Sequence, residues 1–302
     1  MVGVQGRGQT VSRGRLCHAG RAGDLYDAVN NLACVGLRNT LKLATWNVNS
    51  LAVRLPQVLD WLQAQSATAT APVDVLVLQD TKLADDKFPH AEIEAAGYAV
   101  QWFGQKTYNG VALLSRMHLG AAQAVVNNIP GLDDAQARVI AGTVGGIRVI
   151  GAYIPNGQSP ESEKFVYKLG WLAALREYVR DELALHPHLV LMGDYNIAPE
   201  DRDVYDPVAW AGQVLCTPQE RAQFQGLIAL GLTDAFRLFE QPPKPWTWWD
   251  YRNLAFRKNQ GLRIDHILVS EALRPLVKAC VIDKLPRKNE RPSDHAPVVM
   301  EL

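Results

Sequence analysis

Gly193-Asp194-Tyr195-Asn196 closes an apolar run, Leu189 to Met192, and leads into Ile197-Ala198-Pro199. The run reads as a buried strand that delivers two polar side chains to a loop. Asp194 and Asn196 stand at i and i+2, so extended geometry carried through would point both to one side. A carboxylate placed there serves as a base or metal ligand, and a neutral amide holds a substrate oxygen. The same residues also suit an Asx-turn at a strand end. What the other strand ends carry bears on the choice.

Several carry polar groups. The strand beginning at Leu41 ends in Trp46-Asn47-Val48-Asn49, and the largely apolar Val73 to Gln79 ends on Asp80. Ile147 to Tyr153 runs out into Ile154-Pro155-Asn156-Gly157, and Leu262 to Val269 carries Asp265-His266. Ser293-Asp294-His295 precedes the final strand, Val298 to Leu302. Any one of these is ordinary, but together with Asp194 and Asn196 they make a set. Oxygen donors of this kind suit Mg²⁺ or Mn²⁺. A hard cation beside a histidine, a tyrosine and a general base is the equipment for attack of water on a phosphodiester.

The elements that must position these groups are legible. Leu55, Leu59 and Leu62 recur at helical spacing between the first two strands, a βαβ signal. Tyr98–Phe103 and Gly110–Ser115 are two more strands, joined through the polar turn Lys106-Thr107-Tyr108-Asn109-Gly110. Gly145-Gly146 between Ala137–Val144 and Ile147–Tyr153 marks a hairpin. Phe165, Leu169, Leu172, Leu175 and Val179 form one face of a helix leading into the Asp194 strand, and Pro218–Leu230 is a further helix. No repeat or linker interrupts 41–302, so one domain of layered, mixed α/β structure is expected.

Composition sets outer bounds. The chain has 302 residues, 48% hydrophobic and 21% charged, enough for a sizeable core. Lys+Arg and Asp+Glu both number 31, which argues against wholesale non-specific nucleic-acid binding but leaves room for a local basic groove. Cys17, Cys34, Cys216 and Cys280 are widely spaced, which predicts neither a zinc site nor a disulfide framework and fits a reducing cytoplasm. No apolar run reaches spanning length, so no membrane partner is expected. Nothing predicts an obligate protein partner, and a monomer is expected. Residues 1–40 are arginine-rich, with only Asp24 and Asp27 acidic. They read as a disordered extension or an early start codon, with an organellar transit peptide as the alternative.

The motifs together resemble the exonuclease III family of abasic-site endonucleases, within the endonuclease/exonuclease/phosphatase superfamily. Thr45-Trp46-Asn47-Val48-Asn49, Leu78-Gln79-Asp80-Thr81-Lys82, Tyr108-Asn109-Gly110-Val111-Ala112 and Gly193-Asp194-Tyr195-Asn196 carry the resemblance. So do Trp248-Trp249-Asp250-Tyr251-Arg252, Gly261-Leu262-Arg263-Ile264-Asp265 and Ser293-Asp294-His295. They run in the family's order across 41–302. The resemblance implies a four-layer α/β sandwich, two packed mixed β-sheets flanked by helices. It implies hydrolysis 5′ of abasic sites in double-stranded DNA, leaving a 3′-hydroxyl, with 3′-to-5′ exonuclease activity and removal of 3′ blocking groups.

Carried over residue by residue, the resemblance makes Asp194 the base that activates water, with Asn196 and Tyr153 on the phosphate. His295 would sit on the scissile phosphate, oriented by Asp265. Asp80 would be the principal ligand of Mg²⁺ (or Mn²⁺), with Asn47 nearby, Asp294 completing the acidic shell, and Asp194, Asn196 and His295 in reach. The family carries glutamate where this chain has Asp80, which puts metal affinity in question. On the DNA side, Trp248, Leu262 and Ile264 would line a pocket for the base-less sugar, and Asn49, Tyr108, Asn109, Asn156 and Arg252 would contact DNA. Arg54, Lys82, Lys87, Lys106, Arg116 and Arg263 are further candidate phosphate contacts. The cluster Trp246, Trp248, Trp249 and Tyr251 reads partly as core and partly as a loop suited to an extruded nucleotide. Three alternatives stay open: a phosphoesterase acting on a small phosphodiester, an RNA-directed nuclease, and a catalytically weakened DNA-binding relative.

Overall fold

Strands apolar on both faces need cover on both, and the chain builds that cover twice over in the computed structural model, which describes residue 3 and residues 40–67 and 72–302. In chain order the strands are β1 Lys42–Asn47, β2 Val75–Gln79, β3 Tyr98–Phe103, β4 Val111–Arg116, β5 Gln123–Asn127, β6 Val139–Val144, β7 Ile147–Tyr153, β8 Leu189–Asp194, β9 Thr233–Asp234, β10 Asp265–Val269, β11 Ala279–Ile282 and β12 Val298–Glu301. The helices are α1 Leu51–Ala67, α2 His90–Ala95, α3 Glu163–Leu185, α4 Pro218–Ile228 and α5 Ala255–Lys258. The expectation of disorder in residues 1–40 falls, but for residues 3 and 40, outside the described residues.

Two six-stranded sheets form, in the orders β11-β12-β1-β2-β4-β3 and β5-β6-β7-β8-β10-β9. Within the first, β1 and β2 are parallel through α1; within the second, β7 and β8 are parallel through α3. Alternation sorts the side chains. Leu43, Val75 and Val77 face the other sheet, where they meet Val149, Val190, Met192 and Ile267. Trp46, Leu76 and Leu78 face outward and are covered by Val58, Trp61 and Leu62 of α1 and Ile93 of α2. Ile150, Leu189 and Leu191 are covered by Trp171, Leu172, Leu175 and Val179 of α3 and Phe224 and Leu227 of α4. Each fully buried Leu or Ile in these layers contributes roughly 1.5–3 kcal/mol. The four-layer sandwich with two mixed sheets is the expected architecture. No helix among the described residues is long and apolar enough to cross a membrane.

The register decides where the polar strand ends go. β1, β2, β7 and β8 finish on or beside Asn47, Asp80, Tyr153 and Asp194. β10 runs antiparallel to β8 with Asp265 opposite Asp194, so its start lies at the end of β8. β12 runs antiparallel to β1, which brings the preceding residues 293–295 to the same rim. The expected strand from Leu262 begins only at Asp265; Leu262 instead forms isolated bridges to Val204 and Trp248.

Candidate active site

Gly193 has a structural duty that explains its place before Asp194. Its φ is +155°, and a Cβ there would lie 1.9 Å from the Ala152 carbonyl oxygen of the neighbouring strand. Only glycine lets β8 lie in register against β7 at this point, and that register sets Asp194 opposite both Tyr153 and Asp265. Beyond Asp194 the strand stops. Asn196 takes a left-handed backbone, φ +49°, which asparagine tolerates better than most residues. Extended geometry is therefore not what unites Asp194 and Asn196. The Asn196 main-chain N–H donates to Asp194 Oδ1 at 2.9 Å, the Asx-turn, and its Nδ2 donates to Asp194 Oδ2 at 3.1 Å. Turn and functional pair are the same object.

Asp194 Oδ2 also accepts from Asn47 Nδ2 at 2.9 Å. The second Asn196 amide bond goes to the Ile154 carbonyl at 3.0 Å. Asn196 thus orients the base through its main-chain N–H and one of its side-chain N–H groups. His295 stands beside the pair. Its Nδ1 is 2.9 Å from Asp265 Oδ2, and its Nε2 lies 3.8 Å from Asp194 Oδ2. Burial would lower the His295 pKa, but Asp265 and Asp194 outweigh it and hold the imidazolium up to about 10. Burial pushes the Asp194 carboxyl up to about 7, against the pull of His295 and with a push from Asp265. Tyr153 is raised well above the ordinary phenol, first by burial and then by Asp80 and Asp194, so it stands as a neutral donor. Arg138 stacks over its ring, 5.2 Å from the centroid.

These groups share a cavity of about 370 Å³. Asn47, Asn49, Asp80, Tyr153, Asn156, Asp194, Asn196, Asp294 and His295 line its polar side. Trp248 and Ile264 line the other, with Arg252 at the rim. Asp294 is fixed from two directions, by Asn49 Nδ2 at 2.9 Å and Trp248 Nε1 at 3.0 Å. Asp265 lies behind His295, buried. The cavity also takes in Asp250 of the Trp248–Arg252 motif and four residues the sequence did not single out: Gln158, Trp210, Val214 and Leu215. Gln158 follows the polar run at the β7 exit and so had a weak signal; Trp210, Val214 and Leu215 lie in an irregular loop with none.

Three expectations are corrected by position. Leu262 is fully buried in a cluster with Val204, Leu215 and Ile264, behind the wall it was expected to form. Tyr108, by contrast, is 67% exposed beyond the cavity lining, so its ring is free to meet DNA outside the cavity. Asn109 is buried and spends its amide on Gln105 at 3.1 Å and Gln136 at 3.2 Å, shaping its own loop. Arg263 is no phosphate contact: it is buried against Asp203 at 2.7 Å and Asp234 at 2.8 Å. The aromatic cluster divides as its sequence implied, with Trp246 and Trp249 in the core and Tyr251 half exposed.

The donor set fits a hard divalent cation. Asp194, Asp265 and His295 each bring one donor atom within 4.8 Å of the others. Asp80, Asn47 and Asp294 bring further oxygen donors to the same cavity. Burial pushes the Asp80 carboxyl up against the pull of Lys82, whose ammonium sits 3.2 Å away as a stand-in cation.

A two-sheet α/β sandwich with an acid, histidine and amide constellation at one rim defines a class, and comparison identifies it. The chain belongs to the endonuclease/exonuclease/phosphatase family, whose pattern matches residues 44–295. It is 35% identical over 275 residues to exodeoxyribonuclease III of Haemophilus influenzae, covering 87% of this chain and 100% of that protein. A solved structure of a 3′ phosphatase from Neisseria bound to product DNA hairpin superposes with a TM-score of 0.81 at 50% identity, covering 86% of this chain and 98% of that one. An AP endonuclease from Archaeoglobus fulgidus superposes at 0.80 with 35% identity, covering 86% and 98%.

Proposed function

We propose that this protein, as one catalytic domain spanning 41–302 and acting as a monomer, hydrolyses phosphodiester bonds of double-stranded DNA 5′ of abasic sites. The same site trims 3′ ends, as a 3′-to-5′ exonuclease and as a remover of 3′ blocking groups. The observation that carries the reading is the Asp194 carboxylate, held by Asn47 and Asn196 and faced by a His295–Asp265 pair across one cavity.

Asp194, poised near neutrality, takes a proton from the attacking water. The water oxygen bonds to phosphorus as the P–O3′ bond breaks, and the leaving oxygen takes a proton from solvent to become the 3′-hydroxyl. The His295 imidazolium and the neutral Tyr153 phenol donate to the phosphate oxygens as negative charge grows on them. Asp265 holds His295 in place and keeps it charged. Asp80, with Asn47 and Asp294, would hold Mg²⁺ (Mn²⁺ as substitute), which when bound supplies charge stabilisation at the phosphate. Trp248, Ile264 and Leu215 form an apolar wall that suits a bare deoxyribose. The half-identical 3′ phosphatase structure favours weighting 3′-end removal alongside incision.

A duplex oligonucleotide with one abasic site, incubated with Mg²⁺ and then with EDTA, tests the reading. Parallel duplexes with a 3′-phosphate, an intact 3′ end or an RNA strand rank the activities. Metal-dependent cutting of the abasic or 3′-blocked DNA is expected. Cutting only of RNA or of a small phosphodiester overturns the proposal.

A further inference from the structure

Lys168 lies in the second turn of α3, fully buried, and it lines no part of the cavity. Its ammonium donates to the Asn196 carbonyl at 2.7 Å, the Asn156 carbonyl at 3.1 Å and Glu220 Oε1 at 2.5 Å. An ammonium has three N–H donors, and here each has a partner. Two partners are main-chain carbonyls of residues whose side chains enter the cavity and meet there, Asn156 Nδ2 donating to Asn196 Oδ1 at 3.1 Å. The third, Glu220, passes the linkage on: Oε1 also accepts from the Leu215 N–H at 3.0 Å, and Leu215 is part of the apolar wall. Oε2 accepts from Thr217 N–H at 3.0 Å and Thr217 Oγ1 at 2.7 Å, which seats the carboxylate at the start of α4. The Asn156 loop is shaped around the lysine. At Gly157, φ +95°, an added Cβ would stand 3.1 Å from Lys168 Cδ and 3.3 Å from Val214 Cγ2.

A buried ion pair is a poor source of net stability, because desolvation offsets most of the attraction; apolar replacements of similar size are often neutral. An apolar side chain cannot, however, donate to the Asn156 and Asn196 carbonyls in the loops that follow β7 and β8. We propose that Lys168 is a positioning residue for the hydrolysis: its ammonium locks the Asn156 and Asn196 loops together and, through Glu220, sets the Leu215 wall against them. Asn196 in turn orients the Asp194 carboxylate, so Lys168 acts on the base through Asn196. The inference rests on the proposed phosphodiester hydrolysis. It adds that α3 and α4, which carry no cavity side chain, fix the geometry of the site.

The test compares the parent with Lys168→Met and with the charge-balanced Lys168→Met/Glu220→Gln, on duplex DNA with one abasic site. Arg148→Met is the control. It breaks another buried ion pair on α3, Arg148–Glu182, at the opposite end of β7. Misplacement of about 1 Å in a site costs up to about 10²-fold in rate. The expected result is a kcat reduced about 10–100-fold in both Lys168 variants, with KM within a few-fold and with kcat unchanged in Arg148→Met. Adding Asn196→Ala to Lys168→Met should then cost no more than Asn196→Ala alone, because both act on Asp194 by one route. Amide hydrogen exchange over 154–158 and 194–198 should accelerate in the Lys168 variants and not in Arg148→Met. If Lys168→Met does not fold, the double variant decides. Parent-like kcat in a folded Lys168 variant, or a fully multiplicative loss with Asn196→Ala, overturns the inference. A parent without activity on any DNA overturns the function reading instead; the clamp then stands or falls on exchange, and unchanged exchange sinks it.

Discussion

Asn47 ends a strand of one sheet, Asp194 ends a strand of the other, and the Asn47 amide donates to the Asp194 carboxylate at 2.9 Å. The bond lies where the two sheets meet at their polar rim. It points one lone pair of Asp194 at Asn47 while Asn196 takes two others, so the carboxylate cannot rotate freely. A fixed carboxylate, buried until its pKa approaches 7, is a competent acceptor of a proton from water.

That arrangement makes Asp194→Asn the sharpest probe of the chemistry. The amide is the same size and its oxygen still accepts from Asn47, so the fold should survive. It cannot take a proton, and loss of general-base help costs about 10²–10⁴-fold. Incision rates at saturating Mg²⁺, beside a melting curve, provide the check. A variant within a few-fold of the parent would remove Asp194 from the role of base.

Trp248 combines two duties that substitutions can separate. Its ring forms part of the apolar wall, and its Nε1 braces Asp294 at 3.0 Å. Trp248→Phe keeps most of the wall and loses the brace; Trp248→Ala opens the wall as well. Pocket shape in an apolar site discriminates by roughly 10–200-fold per small group. Trp248→Ala should therefore narrow the preference for an abasic over an intact nucleotide by about tenfold or more, while Trp248→Phe should keep it. The readout is the ratio of kcat/KM on matched duplexes. An unchanged ratio in the alanine variant would show that selection lies elsewhere, with Trp210 as the neighbouring candidate.

His266, which follows Asp265 on β10 but lines no part of the cavity, sets a pH limit on stability. It is buried, with Nε2 donating to the Ile197 carbonyl at 2.9 Å and Nδ1 accepting from Arg263 Nη1 at 2.9 Å. Burial, then the Arg263 guanidinium, hold its pKa well below the usual imidazole. The folded pKa is depressed, so the stability contribution is full above the unfolded value near 6.5 and is lost as pH falls below it. Between pH 7.5 and 5.5 the unfolded imidazole gains nearly a proton that the folded one refuses, worth about 1.4 kcal/mol. Denaturant unfolding of the parent and of His266→Gln at the two pH values should show the parent losing about 1.4 kcal/mol more. Equal losses would mean that His266 protonates in the fold.

The sequence carried the site further than it carried the fold's edges. The strands that read clearly, such as Val75–Gln79 and Leu189–Asp194, are buried on both faces, so their apolar runs are unbroken. β5, Gln123–Asn127, went unread because it is an irregular edge strand with mostly exposed side chains and a register shift. α2 is six residues long with only Ile93 buried, too short for a period to show. Site residues at strand ends were legible because polarity after an apolar run is a local signal. Lys168 and Glu220 were not: a lysine on a helix face and a glutamate in a first turn look solvated until the tertiary fold buries both. Arg263 failed for the same reason, its partners Asp203 and Asp234 being remote in sequence.

The last prediction concerns Asp80, where the family's usual residue is glutamate. Asp80 sits just past β2 with φ +58°, a left-handed backbone that aspartate accepts more readily than glutamate. Aspartate at this position therefore relieves local strain, and its shorter side chain sets the carboxylate back by one C–C bond, about 1.5 Å. Mg²⁺ demands ligands near about 2.0–2.1 Å in octahedral geometry and tolerates such a gap poorly. The two effects pull in opposite directions, one on stability and one on metal affinity. Asp80→Glu should lower the Mg²⁺ concentration for half-maximal incision and reduce stability by up to about 1 kcal/mol, the cost of a longer side chain at left-handed φ. Asp80→Ala should raise the Mg²⁺ requirement steeply, and Mn²⁺ should restore more of its activity than added Mg²⁺ does. A Mg²⁺ titration of the parent and both variants, with a melting curve for each, measures the two effects separately. If Asp80→Glu needs as much Mg²⁺ as the parent, or more, the site has been rebuilt around aspartate and the shorter reach is no handicap.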